Sequence, residues 1–315
     1  MEENRSTATE STFRIAGYLC MGVYFLLVIF PLGWILLSSM KTNQEILRSP
    51  FGLPAAIAAP SLETWSYVAD KFARAWTESH FSDYLFSSVK VALGSVSLTL
   101  LLATPAAYVL ARFVFRGSRF LFLLFVAGLM VPGQLVLIPI FFEYNLIGIL
   151  LTQAVNAISV PLGLGTYYVS LHNSHVGIIL IYVATALPFS VFVLANFMRT
   201  IPEELREAAL MDGATEFTCY WQIMLPMARP GLVSVAIFNF LGVWNEYIYA
   251  LTFLDDETKR TLPIGLASVS ILSEYKSDYA LMFAGLVITM VTIITVYVFL
   301  QRHITRGVTL GALKG

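Results

Sequence analysis

The stretch EELREAALMDGATEFTCYWQIMLP, residues 203–226, decides how this chain is organised. It is charged and lies between two apolar runs that are long enough to cross a bilayer, which takes about 20 residues. The pattern EAA-x3-G-x9-I-x-L-P within it predicts a short helix, a glycine stop and a second short helix. A simple connection between membrane spans has little need of such structure. We therefore interpret the stretch as a rigid element that a soluble partner binds.

Start and stop signals define the first helix of this stretch. Pro202 suits the first turn of a helix, where its missing N–H costs nothing. Glu203 and Glu204 follow at the end where the helix dipole favours acidic side chains. Gly213 fits the left-handed position that ends a helix, and Thr215 can cap the next one.

The first helix is predicted to present a smooth face to a partner. Leu205, Ala208 and Ala209 lie at i, i+3 and i+4 and should share that face. Two alanines leave no bulk, so the helix can lie closely in a groove, which is a known mode of recognition. Polar contacts around the face are expected from Arg206, Glu207 and Asp212.

The second helix is predicted from Glu216 to Met224, with Pro226 ending it. An alternative for the whole stretch is an ordinary helix lying on the membrane surface. Such helices carry a basic polar face and large apolar anchors. Here the polar face is mostly acidic and the apolar face mostly alanine, which favours the docking interpretation.

The composition indicates a membrane protein. Hydrophobic residues make up 57% and charged residues 12% of the 315 residues, and the mean hydropathy is +0.75. Soluble domains contain about 25% charged residues. A formal net charge of −1 gives no indication of a nucleic-acid partner. Cys20 and Cys219 are expected to be free thiols, because no disulfide or zinc pattern surrounds them.

Apolar runs predict an all-α integral membrane protein with six transmembrane helices in a single domain over residues 15–300. The first run is much longer than the apolar core of a signal peptide, about 7–15 residues, and no cleavage site follows it. Prolines inside several runs indicate kinked helices that pack in a bundle. The predicted spans are Ile15–Ser39, Leu85–Ala111, Phe120–Phe141, Val176–Phe197, Gly231–Phe253 and Tyr279–Leu300.

The distribution of lysine and arginine predicts the orientation of these spans. Basic residues precede the first span, follow the second, occupy the loop over residues 199–229 and follow the sixth, and such segments face the cytoplasm. They include Arg5, Arg14, Arg112, Arg116, Arg119, Arg199, Arg206, Arg229, Arg302, Arg306 and Lys314. Both termini are then cytoplasmic, as a polar, irregular tail over residues 1–14 and a basic tail over residues 301–315.

One apolar stretch tests this topology. Residues 144–198 contain no Asp, Glu, Lys or Arg and are long enough for two crossings. Two crossings would place the 199–229 loop outside, against the charge rule, so we predict one. Residues 148–171 are then an external or re-entrant apolar excursion, which must be covered by protein or line a cavity if it lies at membrane depth.

The 203–226 stretch resembles the signature loop of permease subunits of ABC importers at every position of the pattern. Four further segments are similar to sugar-transporter permeases of the maltose-permease type: Phe197–Glu204, Trp244–Tyr247, Lys259–Pro263 and the tail from Gln301 to Gly315. The likeness spans nearly the whole chain and departs from the family at residues 148–171, where the family's loop is usually shorter. It implies the transmembrane domain of a type I ABC importer.

The resemblance also implies a function and a set of partners. The chain would be a permease subunit for a sugar or related polyol, with a non-sugar solute as the alternative. Its partners would be a second, different permease subunit, two ATPase subunits that bind ATP and Mg, an external substrate-binding protein and the bacterial inner membrane. The chain has no phosphate-binding loop of its own, and we expect neither a cofactor nor enzymatic activity in it.

The resemblance assigns the first helix of the 203–226 stretch as the coupling helix, which docks in a cleft of an ATPase subunit. The implied coupling residues are Glu203, Glu204, Leu205, Arg206, Glu207, Ala208, Ala209, Asp212, Gly213, Ile223, Leu225 and Pro226. ATP-driven closure of the ATPases would pull this helix, and the bundle would rock between inward-facing and outward-facing states. The basic tail after the sixth span could add a second contact.

An ionisable residue inside the fifth span marks a second candidate site. Glu246, with Asn245, lies where a charge is expensive and usually functional. It could line a translocation path between Trp244 and Tyr247, because aromatic faces beside polar groups suit sugars. A structural hydrogen bond to another helix or to the partner permease is the equal alternative.

Other charged and histidine residues give weaker indications. His172 and His175 lie at i, i+3, but further metal ligands are not evident, so no metal site is predicted. Residues 255–260 read as an outer loop, either solvated or touching a binding protein.

Two other classes of protein remain alternatives. A stand-alone secondary transporter should show two related halves and several intramembrane charges. An intramembrane enzyme would need a nucleophile–base pair or metal ligands within its spans. Neither pattern is visible in the sequence.

Overall fold

A computed structural model of the chain describes residues 3–312, with side chains described for residues 14–273 and 277–299. The chain forms two compact units. One contains the chain up to Phe81 together with Leu266–Thr292, and the other contains Ser82–Gly265 together with the chain from Ile293. The second unit holds both candidate sites.

Regular structure in the described residues is helical throughout, which confirms the predicted all-α class. The helices are α1 (Glu3–Ser38), α2 (Asn43–Arg48), α3 (Ala55–Ala58), α4 (Leu62–Thr77), α5 (Phe81–Arg112), α6 (Ser118–Met130), α7 (Leu137–Ser159), α8 (His175–Arg199), α9 (Glu204–Met211), α10 (Glu216–Thr218), α11 (Leu225–Met227), α12 (Arg229–Trp244), α13 (Ile248–Phe253), α14 (Leu262–Lys276) and α15 (Tyr279–Ala312). Short 3-10 turns cover Gly133–Val136 and Glu257–Lys259, and a π-helical turn covers Cys219–Met224.

Most of the predicted spans correspond to long apolar helices. Within the described residues, five helices are long and apolar enough to cross a membrane: Arg14–Ser38, Phe81–Arg112, Gly133–Ser159, His175–Arg199 and Tyr279–Phe299. A pair bent by 70°, Glu216–Met227 with Arg229–Trp244, can supply a sixth. The first, second, fourth and sixth predicted spans are therefore confirmed as helices to within a few residues.

The two predicted tails have different outcomes. α1 begins at Glu3, so the prediction of an irregular segment over residues 1–14 is wrong for its described part, where the backbone continues the helix of the first span. The basic tail over residues 301–315, including Arg302, Arg306 and Lys314, lies outside the residues whose side chains are described.

The predicted third span, Phe120–Phe141, is wrong. α6 ends at Met130, and the chain resumes as a helix only after Pro132. Proline has no N–H to continue the helical hydrogen bonds and disfavours the helical conformation at the preceding Val131. Apolar side chains continue through the break, so hydropathy alone does not reveal it.

The predicted excursion over residues 148–171 is partly helical, because α7 continues to Ser159. After a turn the chain runs back along α7. Asn156 Nδ2 donates to the Tyr167 carbonyl at 3.0 Å, and Tyr167 N donates to Asn156 Oδ1 at 2.7 Å. Thr152 makes the same pair of bonds with Val169, at 3.2 and 2.9 Å. Side chains of α7 thus satisfy the irregular backbone, as a low-water environment requires.

The predicted fifth span, Gly231–Phe253, is interrupted. α12 ends at Trp244 and α13 begins at Ile248. The side chains of Asn245 and Glu246 bond to nearby backbone groups, which offers the chain an alternative to continuous helix.

The first unit is fixed by buried lysines. Lys41 Nζ donates to the carbonyls of residues 49 and 50 at 3.0 and 2.7 Å, and Lys71 Nζ donates to the Lys41 carbonyl at 3.0 Å. Burial disfavours the charged form and lowers the pKa of Lys71 to about 8. Ala280 N donates to Asn43 Oδ1 at 2.7 Å, which joins α2 to the start of α15.

The core of the second unit lies where α5, α8 and α12 pack together. Small residues such as Ala103, Ala107 and Ala195 are fully buried there. Gly231 lies so close to the ring of Phe197 that a Cβ at this position would come within 2.8 Å of the ring. Small side chains let helices approach closely, as is typical of helix packing in membranes.

Candidate functional site

The first candidate site is α9, the helix predicted from the EAA pattern. Its backbone ends as predicted: Gly213 has φ +86°, Gly213 N donates to the Leu210 carbonyl and Ala214 N donates to the Ala209 carbonyl, both at 3.0 Å. This is the glycine-dependent termination that left-handed backbone permits. The helix therefore has a fixed length and a sharp end.

One side of α9 is open to solvent. Leu205 is 39% exposed and Met211 is 88% exposed, and Glu204, Glu207 and Ala208 are exposed beside them. The prediction that Ala209 shares the open face with Leu205 and Ala208 is wrong, because Ala209 is only 9% exposed and faces the rest of the unit. Met211, three residues after Ala208, is exposed on α9 instead.

Arg206 and Glu203 are also turned inward, contrary to the prediction that Arg206 lies around the docking face. Arg206 Nη1 donates to Glu203 Oε1 at 2.6 Å, and the guanidinium makes two further bonds to the Glu216 carboxylate. The bonding to Glu216 raises the pKa of Arg206. Tyr108 of α5 donates to Glu216 Oε2 at 2.9 Å.

Arg112, the last residue of α5, completes this arrangement. Its side chain is 6% exposed, and Nη1 donates to Glu203 Oε2 at 2.6 Å. Nη2 donates to the carbonyls of Met198 and Ile201, at 2.8 and 2.6 Å, at the end of α8. In the sequence, Arg112 indicates only the orientation of the spans, and nothing points to Tyr108. Their bonds to Glu203 and Glu216, which flank α9, are long-range pairings that no local pattern reveals.

The second helix of the stretch is more irregular than predicted. α10 continues as the π-helical turn Cys219–Met224 and then as α11, so Pro226 does not end the helical segment. Pro226 lies in the first turn of α11, where a missing N–H is tolerated. Cys219 and Met224 are fully buried, which anchors this segment in the core.

Of the other implied coupling residues, Asp212 is exposed at the end of α9, where it is the cap residue. Ile223 and Leu225 are half-buried, on either side of the buried Met224. Ile223 and Leu225 therefore contribute to packing more than to an exposed surface, in contrast to Leu205 and Met211 of α9.

The second candidate site is the break between α12 and α13. Tyr249 N donates to Glu246 Oε1 at 2.9 Å and Ala250 N donates to Oε2 at 3.1 Å, so the carboxylate caps α13. Tyr182 of α8 also donates to Oε2, at 2.6 Å. This supports the structural alternative for Glu246. Nothing in the sequence points to Tyr182, because a single tyrosine in an apolar span is not a signal of function.

A cavity of about 210 Å³ lies beside this break. It is lined by Tyr182, Thr185, Ala186, Phe238, Asn239, Gly242, Val243, Glu246 and Tyr249. Trp244, predicted on a path, is instead 4% exposed and stacks on Phe240 at 5.3 Å. Asn245 and Tyr247 are exposed but do not line the cavity.

The side chains of His172 and His175 both have polar partners. His172 Nδ1 lies 3.4 Å from Asp255 Oδ2, and His175 Nε2 lies 3.1 Å from both Ser87 Oγ and the Lys259 carbonyl. Across the part of the chain that the structure describes, no group of three or more His, Cys, Asp or Glu side chains could hold a metal ion.

Comparison with known proteins identifies the family. The family model for the binding-protein-dependent transport system inner membrane component matches residues 103–310. The chain belongs to this family. It is therefore a multi-pass membrane protein of ABC transport systems, a permease subunit and not an enzyme.

Relatives and structures agree with this assignment. The chain is 36% identical over 309 residues to the diacetylchitobiose uptake system permease protein NgcG of Streptomyces coelicolor, covering 98% of this chain and 92% of NgcG. It is 30% identical to the arabinooligosaccharides transport system permease protein AraQ of Halalkalibacterium halodurans, covering 96% and 97%. A crystal structure of a bacterial ABC transporter involved in alginate import has the same fold, with TM-score 0.73 at 20% identity, covering 93% of this chain and 97% of that chain.

Proposed function

We propose that this permease subunit imports an oligosaccharide or related polyol, and that α9 receives the mechanical work of an ATPase subunit. The observation that carries the proposal is the open face of α9. It is short, well terminated and acidic, and its apolar residues Leu205, Ala208 and Met211 are exposed. A helix with apolar anchors and a polar rim is a form that grooves recognise.

The position of α9 suits a coupling role. The end of α8 before it and the π-helical turn Cys219–Met224 after it both have residues buried in the core of the second unit. A force applied to the open face is therefore applied to membrane helices and not to a loose loop. In a cycle of this kind, a loaded binding protein and ATP must favour the same conformation, because linkage is reciprocal.

The sugar class of the substrate is supported by relatives and by the cavity at the helix break. NgcG and AraQ are named for diacetylchitobiose and arabinooligosaccharides. The cavity offers tyrosine faces beside Asn239, Thr185 and the Glu246 carboxylate. Sugars present apolar C–H faces and polar edges, and such pockets fix them with a few placed polar groups.

The partners follow from the family and from what this chain lacks. We propose a second permease subunit, two ATPase subunits that bind ATP and Mg, and an external substrate-binding protein. The basic residues predict that α9 and both termini face the cytoplasm of a bacterial inner membrane.

Uptake into proteoliposomes tests the proposal. The chain is purified with its partners, reconstituted, and supplied with radiolabelled chitobiose, arabinotriose or an amino acid, with or without ATP inside. We expect uptake of a saccharide that requires ATP, the ATPase subunits and the binding protein. Saccharide uptake driven by an ion gradient without ATP would contradict the proposal in favour of a secondary transporter. ATP-dependent uptake of the amino acid alone would contradict the sugar class.

A further inference from the structure

We propose that Arg112 is a positioning residue that makes α9 move as one body with the adjoining ends of α5 and α8. The inference rests on the proposed coupling role of α9, but it concerns the side of α9 that faces away from any partner. It is carried by a closed set of side chains, here called the charge ring: Tyr108, Arg112, Glu203, Arg206 and Glu216.

The charge ring is closed and electrically balanced. Each carboxylate accepts hydrogen bonds from two different parts of the chain: Glu203 from Arg112 and Arg206, and Glu216 from Arg206 and Tyr108. Two arginines and two glutamates cancel in formal charge. The ring therefore runs from Tyr108 on α5 to Glu216, after α9. It continues through Arg206 to Glu203, before α9, and returns to α5 at Arg112, four residues after Tyr108.

Arg112 is the member that connects three elements at once. It belongs to α5, donates to Glu203 before α9, and donates to the carbonyls of residues 198 and 201 at the end of α8. Carbonyls at the end of a helix lack partners in their own helix, and a cation there also opposes the helix dipole. The planar guanidinium reaches the carboxylate with Nη1 and the two carbonyls with Nη2, whereas a lysine would have to donate from a single nitrogen.

The low exposure of Arg112 makes its bonds hard to replace by water. Its side chain is 6% exposed, whereas Arg199, at the end of α8, is exposed and donates to the Leu110 carbonyl without touching α9. Without Arg112, the Glu203 carboxylate keeps only its bond from Arg206, and the carbonyl of the buried Ile201 loses this donor, which is unfavourable for a buried acceptor. Arg199 is therefore a natural control for Arg112.

The backbone joins α9 to its neighbours only through short connections. These are the turn at residues 200–203 on one side and Gly213 on the other. Pro105 in α5 and Pro188 in α8 leave these helices without a backbone hydrogen bond, at points where they can bend. The charge ring joins α9 to the segments of α5 and α8 that follow these prolines. A movement of α9 is therefore transmitted to those segments.

Pulsed electron spin resonance tests this positioning directly. Spin labels are placed at Val109→Cys on α5 and Met211→Cys on α9, both exposed, in a Cys20→Ser background that keeps the buried Cys219. The purified permease is compared with its Arg112→Gln, Arg112→Lys and Arg199→Gln variants. We expect a narrow distance distribution in the parent and in Arg199→Gln, a broad one in Arg112→Gln, and an intermediate one in Arg112→Lys.

Function is then measured on unlabelled complexes. In Arg112→Gln, sugar uptake per ATP hydrolysed should fall by about tenfold, an ordinary size for a lost coupling between two sites. The ATPase subunits should still co-purify, since the docking face is intact. A narrow distribution with unchanged uptake per ATP in Arg112→Gln would overturn the positioning role. If Arg112→Gln does not assemble, Tyr108→Phe, which removes only one hydroxyl from the ring, must broaden the distribution or the proposal fails.

The outcomes separate this inference from the proposed function. The distance distribution is measured without substrate or ATPase, so it reports on the charge ring even if α9 binds no ATPase. Loss of ATPase binding in Met211 variants with no change on breaking the ring would leave the proposed function standing and remove this inference.

Discussion

Tyr182 Oη donates a hydrogen bond of 2.6 Å to Glu246 Oε2, which joins α8 to the break between α12 and α13. The same carboxylate caps α13 through two backbone N–H groups. The ionisable side chain at this break is thus bonded within its own unit. Substitutions of Glu246 and Tyr182 can therefore distinguish a role of Glu246 in stability from a role in substrate contact.

Glu246→Gln should destabilise the protein. The amide offers one acceptor where the carboxylate offers two, and leaving a buried donor unpaired costs about 1–3 kcal/mol. Tyr182→Phe should cost less, since it removes one hydroxyl. The thermal midpoint of the purified complex measures both changes. An unchanged midpoint in Glu246→Gln together with a raised KM for uptake would show that the carboxylate serves the substrate and not the fold.

Gly213 should be required for its backbone conformation and not for space. A Cβ there would meet no described atom within 4 Å, but φ is +86°. Gly213→Ala should therefore destabilise the loop by about 1 kcal/mol, and Gly213→Asn by less, because asparagine tolerates left-handed backbone better. Hydrogen exchange of the amides of residues 210–214 measures the difference. Equal exchange in the Ala and Asn variants would contradict this explanation.

Much of this fold could be predicted from the sequence because the signals are local. The span of α8, the length of α9 and its stop at Gly213 each follow from hydropathy or from a capping residue. Hydropathy does not reveal the break at Val131–Pro132, because apolar side chains continue through it. At residues 245–247 the signal is limited to Asn245 and Glu246 within a longer apolar run. Proline at the first break was a signal, but prolines at other positions in the spans do not interrupt a helix.

The candidate site was predicted only in outline. The EAA pattern located α9, yet it could not show that Arg206 turns inward or that Ala209 is buried. Those orientations depend on Arg112 and Tyr108, which lie about a hundred residues earlier in the chain. Pairings between distant segments are set by tertiary packing, and a single sequence contains no record of them.

Lys71 should make the stability of the first unit depend on pH. Its pKa is lowered to about 8 in the folded chain, so between pH 8 and its ordinary value of 10.5 the unfolded chain binds more protons. Stability therefore rises with pH across that window. Lys41, whose pKa is also lowered by burial, adds to the effect in the same direction.

The comparison with Lys71→Met checks this pH dependence. Wild type should gain about 2–3 kcal/mol between pH 8 and pH 10.5, following 1.4 kcal/mol per unit of pKa shift, less some solvent screening. The variant should gain much less, from Lys41 alone. Thermal midpoints at intervals of pH measure both. A wild type and variant that rise in parallel would contradict the assignment to Lys71.

Asn156 should hold the returning segment against α7. Asn156→Ala removes two hydrogen bonds to Tyr167, each worth about 1 kcal/mol, while Thr152 keeps its bonds to Val169. Residues 164–168 should then exchange amide hydrogens faster than residues 169–171. Asn145→Ala is a suitable control, since Asn145 bonds only within its own helix, to Phe141. Equal protection in both variants would contradict the role of Asn156.

Cysteine cross-linking at α9 tests the central claim most directly. Met211→Cys and, as control, Gln222→Cys are both exposed, and only the first lies on the open face of α9. In the assembled complex with a bifunctional thiol reagent, we predict that Met211→Cys joins the permease to an ATPase subunit, and more strongly with ATP and binding protein present. Cross-linking from Gln222→Cys but not from Met211→Cys would contradict the assignment of α9 as the coupling element.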